Sequence, residues 1–275
     1  MTEIRFVESK DHTRVAFDVS GGGPAIVFLH GGFIQDRRCW HEAGYVERLN
    51  KHCTVITVDL RGHGESDQPD TPEGYAPDRI IEDIQAVVDA CNVGRFYLWG
   101  YSLGGTMGLQ IASRMTETIG AILVGVWFGK LFPQEMVAGV LSRIEKVKKA
   151  RAEGTLDRME LSAPERDFFS RVDLSLFKNY SLALADYPPV EPAGLLCPTL
   201  MISGTANHLA VSKLKEREGD MRAAGVAYRF LEGLDHAREL SEIDIVLPEC
   251  RAFLNSLQSP SQGRNRVRKE YLEEE

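Results

Sequence analysis

The chain has 275 residues, 43% of them hydrophobic and 26% charged, with a formal net charge of −8. That length suits one large α/β domain with an insertion, and no apolar run approaches the ~18 residues that a bilayer span needs. The acidic balance argues against a nucleic-acid partner, because phosphate backbones are held by clustered Lys and Arg.

Other class-level expectations follow from the same reading. The start, Met1-Thr-Glu-Ile-Arg-Phe6, lacks a basic segment leading into an apolar one, so a cytoplasmic location is expected. Cys39, Cys53, Cys91, Cys197 and Cys250 are scattered and never form Cys-x-x-Cys, which suggests neither a disulfide framework nor a metal site. The expected partner is a small-molecule substrate, with no cofactor, no metal, no nucleic acid and no membrane, for a chain that is a monomer or homodimer.

In chain order, two short runs at 4–7 and 15–19 flank a polar turn and suit an antiparallel hairpin. Apolar, β-branched runs then recur at 25–29, 54–58, 96–99, 121–124, 199–202 and 226–231, separated by stretches of helical length. Such alternation implies a mainly parallel sheet of about eight strands with helices on both faces. Residues 77–91 carry an apolar stripe, Ile80, Ile81, Ile84, Val87 and Val88, and 103–115 form a second helical pattern. Asp83, within the first, is expected to be structural.

From Trp127 to Pro192 the alternation lapses into charge-rich helical sequence. The expected division is therefore a core in two parts, 1–126 and 193–257, a helical cap at 127–192 over the carboxyl ends of the strands, and a mobile polar tail at 258–275.

The sharpest motif is Gly100-Tyr101-Ser102-Leu103-Gly104, directly after one strand and before a helix. A nucleophilic serine needs a tight strand-to-helix turn that exposes its oxygen, and flanking glycines let neighbouring backbone pass without a Cβ clash. The alternative is a glycine-rich turn with an incidental serine, which the strand-turn-helix context disfavours. His30-Gly31-Gly32-Phe33 follows an earlier strand. Small residues there let backbone N–H groups approach a developing oxyanion, with the N–H of Leu103 as one donor and that of Gly32, or second Phe33, as the other.

With these motifs and the segment Asp59-Leu-Arg61-Gly62-His63-Gly64-Glu65-Ser66, the chain resembles the α/β-hydrolase fold superfamily, in its serine-hydrolase branch, up to about Leu257. The resemblance implies that Asp59 and His63 are structural. It also implies that His236, in Gly233-Leu-Asp235-His236-Ala237 after the last strand, is the general base. His30 is read as fixing its own loop.

The family's acid commonly follows the strand ending at Ile202 in a Gly-x-x-Asp segment, and this chain reads Gly204-Thr205-Ala206-Asn207. A second family location offers Gly125-Val126-Trp127-Phe128, without a carboxylate, and Asp235 is too near His236 in sequence to bond its ring. Three accounts stay open: a natural Ser-His-Asn site, an introduced inactivating change, or a carboxylate from a position the motif does not align. An amide orients a histidine without offsetting imidazolium charge, so with Asn207 as third member activity would be weak, and Asn207→Asp would raise it by several orders of magnitude.

Specificity is expected from an aromatic, mainly apolar pocket of Tyr101, Trp127, Phe128 and Trp40, with Phe33 and Phe132 as further contributors. Aromatics at such positions serve equally often as core. The functional expectation is hydrolysis of a carboxylic ester or lactone through an acyl-enzyme on Ser102. The alternatives are a low-turnover ligand-binding or sensing protein, motivated by Asn207, and cofactor-independent oxygen chemistry with His236 as base. Haloalkane dehalogenase and epoxide hydrolase chemistry are disfavoured, since those branches need an aspartate where Ser102 stands.

Overall fold

The computed structural model describes residues 2–130 and 133–258. Phe132 and the stretch 259–275, which covers nearly all of the expected tail, lie outside the described residues. The strands are β1 (Ile4–Glu8), β2 (Arg14–Gly21), β3 (Ala25–Leu29), β4 (Thr54–Val58), β5 (Phe96–Tyr101), β6 (Thr118–Val124), β7 (Thr199–Gly204) and β8 (Ala227–Leu231). They form one sheet in the order β1-β2-β4-β3-β5-β6-β7-β8. The β1–β2 and β2–β4 pairs are antiparallel and the others parallel, as the opening hairpin and the later alternation require.

Helices cover both faces because alternate residues of the central strands point to opposite sides. In β3, Val27 and Leu29 join the core beneath α3 (Pro77–Ala90) and α4 (Leu103–Ala112). Ile26 and Phe28 join the opposite core with α1 (Arg38–Glu42), α2 (Tyr45–Leu49) and the last helix, Ile243–Gln258. The stripe of α3 is buried at Ile80, Ile84, Val87 and Val88. Its Asp83 takes both arms of the buried Arg61 guanidinium, at 2.7 and 2.6 Å.

Between β6 and β7 the chain forms α5 (Gln134–Glu153), α6 (Ala163–Arg171) and α7 (Leu174–Asp186). Ser162 and Glu165 make a reciprocal capping box at the start of α6, and Asp173 caps α7. Helix α7 is fastened to loops that follow the strands: Tyr180 Oη donates to Arg61 O at 3.2 Å and Asn179 Nδ2 to Asp70 O at 2.8 Å. After β7 come α8 (His208–Glu216) and α9 (Glu218–Ala223), and after β8 come α10 (Arg238–Ser241) and α11 (Ile243–Gln258). Among the described residues, no helix is long and apolar enough to cross a membrane.

Candidate active site

Strand β5 ends in a turn that holds Ser102 at φ 54° and ψ −116°. A side chain rarely adopts positive φ, so this backbone is strained, and the surroundings keep it there. A Cβ on Gly100 would lie 2.4 Å from Gly104 O, and one on Gly104 would lie 2.2 Å from Leu29 O. Both motif glycines are therefore fixed by close backbone approach. Ser102 N donates to Val124 O at 2.9 Å and Gly104 N to His30 O at 2.9 Å, tying the turn to β6 and to the loop after β3.

His30, buried in that loop, donates from Nδ1 to Gly31 O at 2.5 Å and accepts from Leu60 N at Nε2 at 3.0 Å. Burial lowers its pKa to about 4, so the ring is neutral and acts as a brace. Gly32 comes so near α4 that a Cβ would lie 2.6 Å from Leu103 Cδ2. Gly32, Phe33, Ser102 and Leu103 all border one cavity of about 340 Å³. As the first amide of α4, Leu103 N–H has no acceptor within its own helix, which leaves it available for a ligand oxygen.

His236 lies in the loop between β8 and α10. Its Nε2 is 2.8 Å from Ser102 Oγ. Its Nδ1 is 2.9 Å from Oε2 of Glu239, a buried carboxylate three residues further on in α10. One helical turn brings such a pair to the same side: Glu239 N donates to Asp235 O at 3.0 Å. Asp235 turns away from the ring, its carboxylate accepting from Arg238 N at 2.9 Å.

Asn207 follows β7, and its Nδ2 is 3.1 Å from the same His236 Nδ1. The amide also reaches Glu239 Oε1 at 3.0 Å and Oε2 at 3.2 Å. Two carboxylate oxygens call for the NH₂ end of the amide, since Oδ1 would repel them. The carboxylate likewise calls for a proton on Nδ1, which leaves Nε2 free to accept from Ser102. Amide and ring are then both donors toward Glu239. Gly204 N and Ser203 Oγ complete its shell at 2.7 and 3.1 Å on Oε1.

Of the three accounts left open by the sequence, the last required a carboxylate from a position that the motif does not align, and Glu239 is a carboxylate so placed at His236 Nδ1. Asn207, the expected third member, lies 3.1 Å from the same nitrogen.

A family model described as the alpha/beta hydrolase family matches residues 26–246. The chain belongs to that family. Among curated relatives, the AB hydrolase superfamily protein YisY of Bacillus subtilis is 29% identical over 109 residues, covering 40% of this chain and 39% of that protein. The 2-(acetamidomethylene)succinate hydrolase of Mesorhizobium japonicum is 31% identical over 115 residues, covering 41% of this chain and 40% of that one. These matches thus span about two fifths of each relative's length. Among solved structures, the enol-lactonase from Burkholderia xenovorans LB400 superposes with a TM-score of 0.69 at 23% identity, covering 91% of this chain and all of that one. An esterase from Exiguobacterium antarcticum gives 0.71 at 22%, covering 92% and 99%.

Within this alpha/beta hydrolase, the aromatic residues named from the sequence separate. Trp127 and Phe33 border the cavity, joined by Val126, Leu184 of α7 and Leu209 of α8. Tyr101, Phe128 and Trp40 do not. Tyr101 is buried, stacks on His236 with ring centroids 5.1 Å apart, and donates from Oη to His236 O at 2.6 Å. Phe128 is enclosed in the core on the α3 side of the sheet. Trp40 packs edge-on against Tyr45 and Trp99 and tilted on Phe28, on the other side.

Glu239, Leu184 and Leu209 escaped the sequence reading. Only Glu239 had a visible signal, an acidic residue three places after the loop histidine where a helix begins. Asp59 accepts from Arg37 N at 2.8 Å and Glu65 N at 2.9 Å, and it also meets the Arg37 guanidinium. His63 is buried and held neutral by desolvation, its pKa lowered to about 3.

Proposed function

We propose that the protein hydrolyses carboxylic esters or lactones with small, uncharged, mainly apolar acyl groups. The observation that carries this reading is the 2.8 Å contact between Ser102 Oγ and His236 Nε2, at a strained turn whose next residue opens a helix. As Ser102 Oγ attacks the carbonyl carbon, His236 Nε2 takes its proton. The carbonyl oxygen, now negative, is received by Leu103 N–H with a second amide from the Gly32–Phe33 stretch. His236 then gives the proton to the leaving alkoxide, and water repeats the sequence to free the acid and restore Ser102.

The cavity supports the apolar choice: Phe33, Leu103, Val126, Trp127, Leu184 and Leu209 border it, and among the described residues no Lys or Arg does. Two of the structural neighbours are named as an enol-lactonase and an esterase, which supports the choice of bond. Segment 127–192 would then act as a cap that sets substrate choice, since α7 supplies Leu184 to the cavity. The Glu239 carboxylate 2.9 Å from His236 Nδ1 favours this reading over the sensing alternative, which Asn207 had motivated.

A fluorophosphonate probe followed by mass spectrometry tests the proposal. Covalent labelling at Ser102, together with turnover of short aryl esters, is expected, and Ser102→Ala should abolish labelling and nearly all turnover. Full turnover in that variant would reject Ser102 as the nucleophile.

A further inference from the structure

We infer that Glu239 supplies the carboxylate that acts through His236, and that Asn207, at the strand-end position, is the neutral donor that holds it. The inference rests on the serine-hydrolase reading above.

The carboxylate sits where two strand ends converge. Gly204, the last residue of β7, donates its N–H to Oε1. A Cβ on Gly125, the residue after β6, would lie 2.5 Å from Oε2. These strands are neighbours in the sheet, with Val124 opposite Ile202. The charge therefore reaches the region served by either strand-end location, but it arrives from the helix beyond His236.

Every group around it suits a single negative charge. Asn207 Nδ2, Gly204 N, Ser203 Oγ and His236 Nδ1 all lie within 3.2 Å of its oxygens, and each has a proton to give. An ionised aspartate at 207 would have no proton to give and would set a second negative charge about 3 Å from the first. Like charges at that separation do not both ionise, so the pair would retain a proton. Asn207 is thus what a carboxylate at 239 demands of its neighbour. Both are positioning residues, fixing the ring orientation and the nitrogen that carries the proton.

The experiment compares the full chain with Glu239→Gln, Asn207→Asp and the double variant Asn207→Asp/Glu239→Gln. Folding is checked by circular dichroism. The readouts are kcat and KM on a p-nitrophenyl ester, and nitrogen-15 NMR of the His236 ring to locate its proton.

Glu239→Gln should lower kcat by about 10³–10⁴ with little change in KM and move the ring proton to Nε2, because an amide can present NH₂ to Nδ1. Asn207→Asp should bring no gain, staying within about tenfold of the parent. The double variant, with its carboxylate now at 207 and a donor at 239, should recover at least about a hundredfold over Glu239→Gln and return the proton to Nδ1.

A gain above tenfold in Asn207→Asp overturns the inference, and this variant decides by itself if Glu239→Gln does not fold. An unchanged kcat in folded Glu239→Gln, or a double variant as slow as that single one, overturns it too. If the parent neither labels nor turns over esters, the hydrolase reading falls. The position of the ring proton across the three variants still decides the assignment of Glu239.

Discussion

Replacing Gly125 with alanine tests how much displacement the Ser102–His236 pair tolerates. A Cβ there would lie 2.5 Å from Glu239 Oε2, 2.7 Å from His236 Cε1 and 2.8 Å from His236 Nδ1. Carbon contacts are comfortable only from about 3.5 Å, so the ring or the carboxylate must retreat by roughly 1 Å. A misplacement of about 1 Å costs on the order of 10² in rate, or about 2.7 kcal/mol of transition-state stabilisation. Gly125 also has φ 71°, where alanine costs a further ~1–2 kcal/mol of folding stability. Gly154→Ala separates the two effects: it has φ 64° with nothing within 4 Å of its would-be Cβ, so it should lose similar stability and keep full kcat. Steady-state kinetics on an aryl ester and urea unfolding of both variants give the comparison. A Gly125→Ala enzyme with unchanged kcat would refute the argument that this glycine spaces the ring.

Trp127→Ala should shift acyl chain-length preference toward longer esters, by about 1–3 kcal/mol across a substrate series, and unchanged preference would place the acyl pocket elsewhere. Phe128→Ala should leave that preference alone and lower stability by about 3–5 kcal/mol, because its ring belongs to the core; a change in preference with stability intact would reverse the assignment. Acidification should destabilise the fold through His30 and His63. Desolvation lowers their pKa values from 6.5 to about 4 and about 3, so below pH 6.5 the unfolded chain binds protons that the folded one refuses. Stability should therefore fall between pH 7 and pH 5 by about 2 kcal/mol for each ring. Equal urea midpoints at the two pH values would refute it.

The sheet was legible because its evidence is local. Strands such as β3, buried along their whole length, read as unbroken apolar runs, and the glycines around Ser102 mark a turn that backbone crowding imposes. His236 was legible by its place after the last strand. Burial was harder to read: Trp40, Tyr101 and Phe128 have the composition of a pocket, yet they fill the two sides of the sheet. Nothing in an isolated aromatic says which side of a strand-end loop it faces. Leu184 and Leu209 reach the cavity from helices whose orientation depends on tertiary contacts such as Asn179 with Asp70 O.

The carboxylate near His236 was not legible for a different reason. The motif order assumes that the carboxylate travels with a strand end, whereas the chemistry requires only a negative charge at His236 Nδ1, on the side opposite Ser102. Several short contacts hold the loop bearing His236 against the end of β7. Ala206 N donates to Leu234 O at 3.0 Å, Thr205 N to Leu231 O at 2.8 Å and Gly233 N to Thr205 Oγ1 at 2.8 Å. A Cβ on Gly204 would lie only 2.0 Å from Leu234 O. With the loop clamped this way, one turn of helix beyond His236 brings Glu239 back over the strand end, where Gly204 N donates to it at 2.7 Å. If Glu239 carries the charge that faces His236, the strand-end residue needs none, and asparagine, with its NH₂ directed at both carboxylate oxygens, meets that requirement.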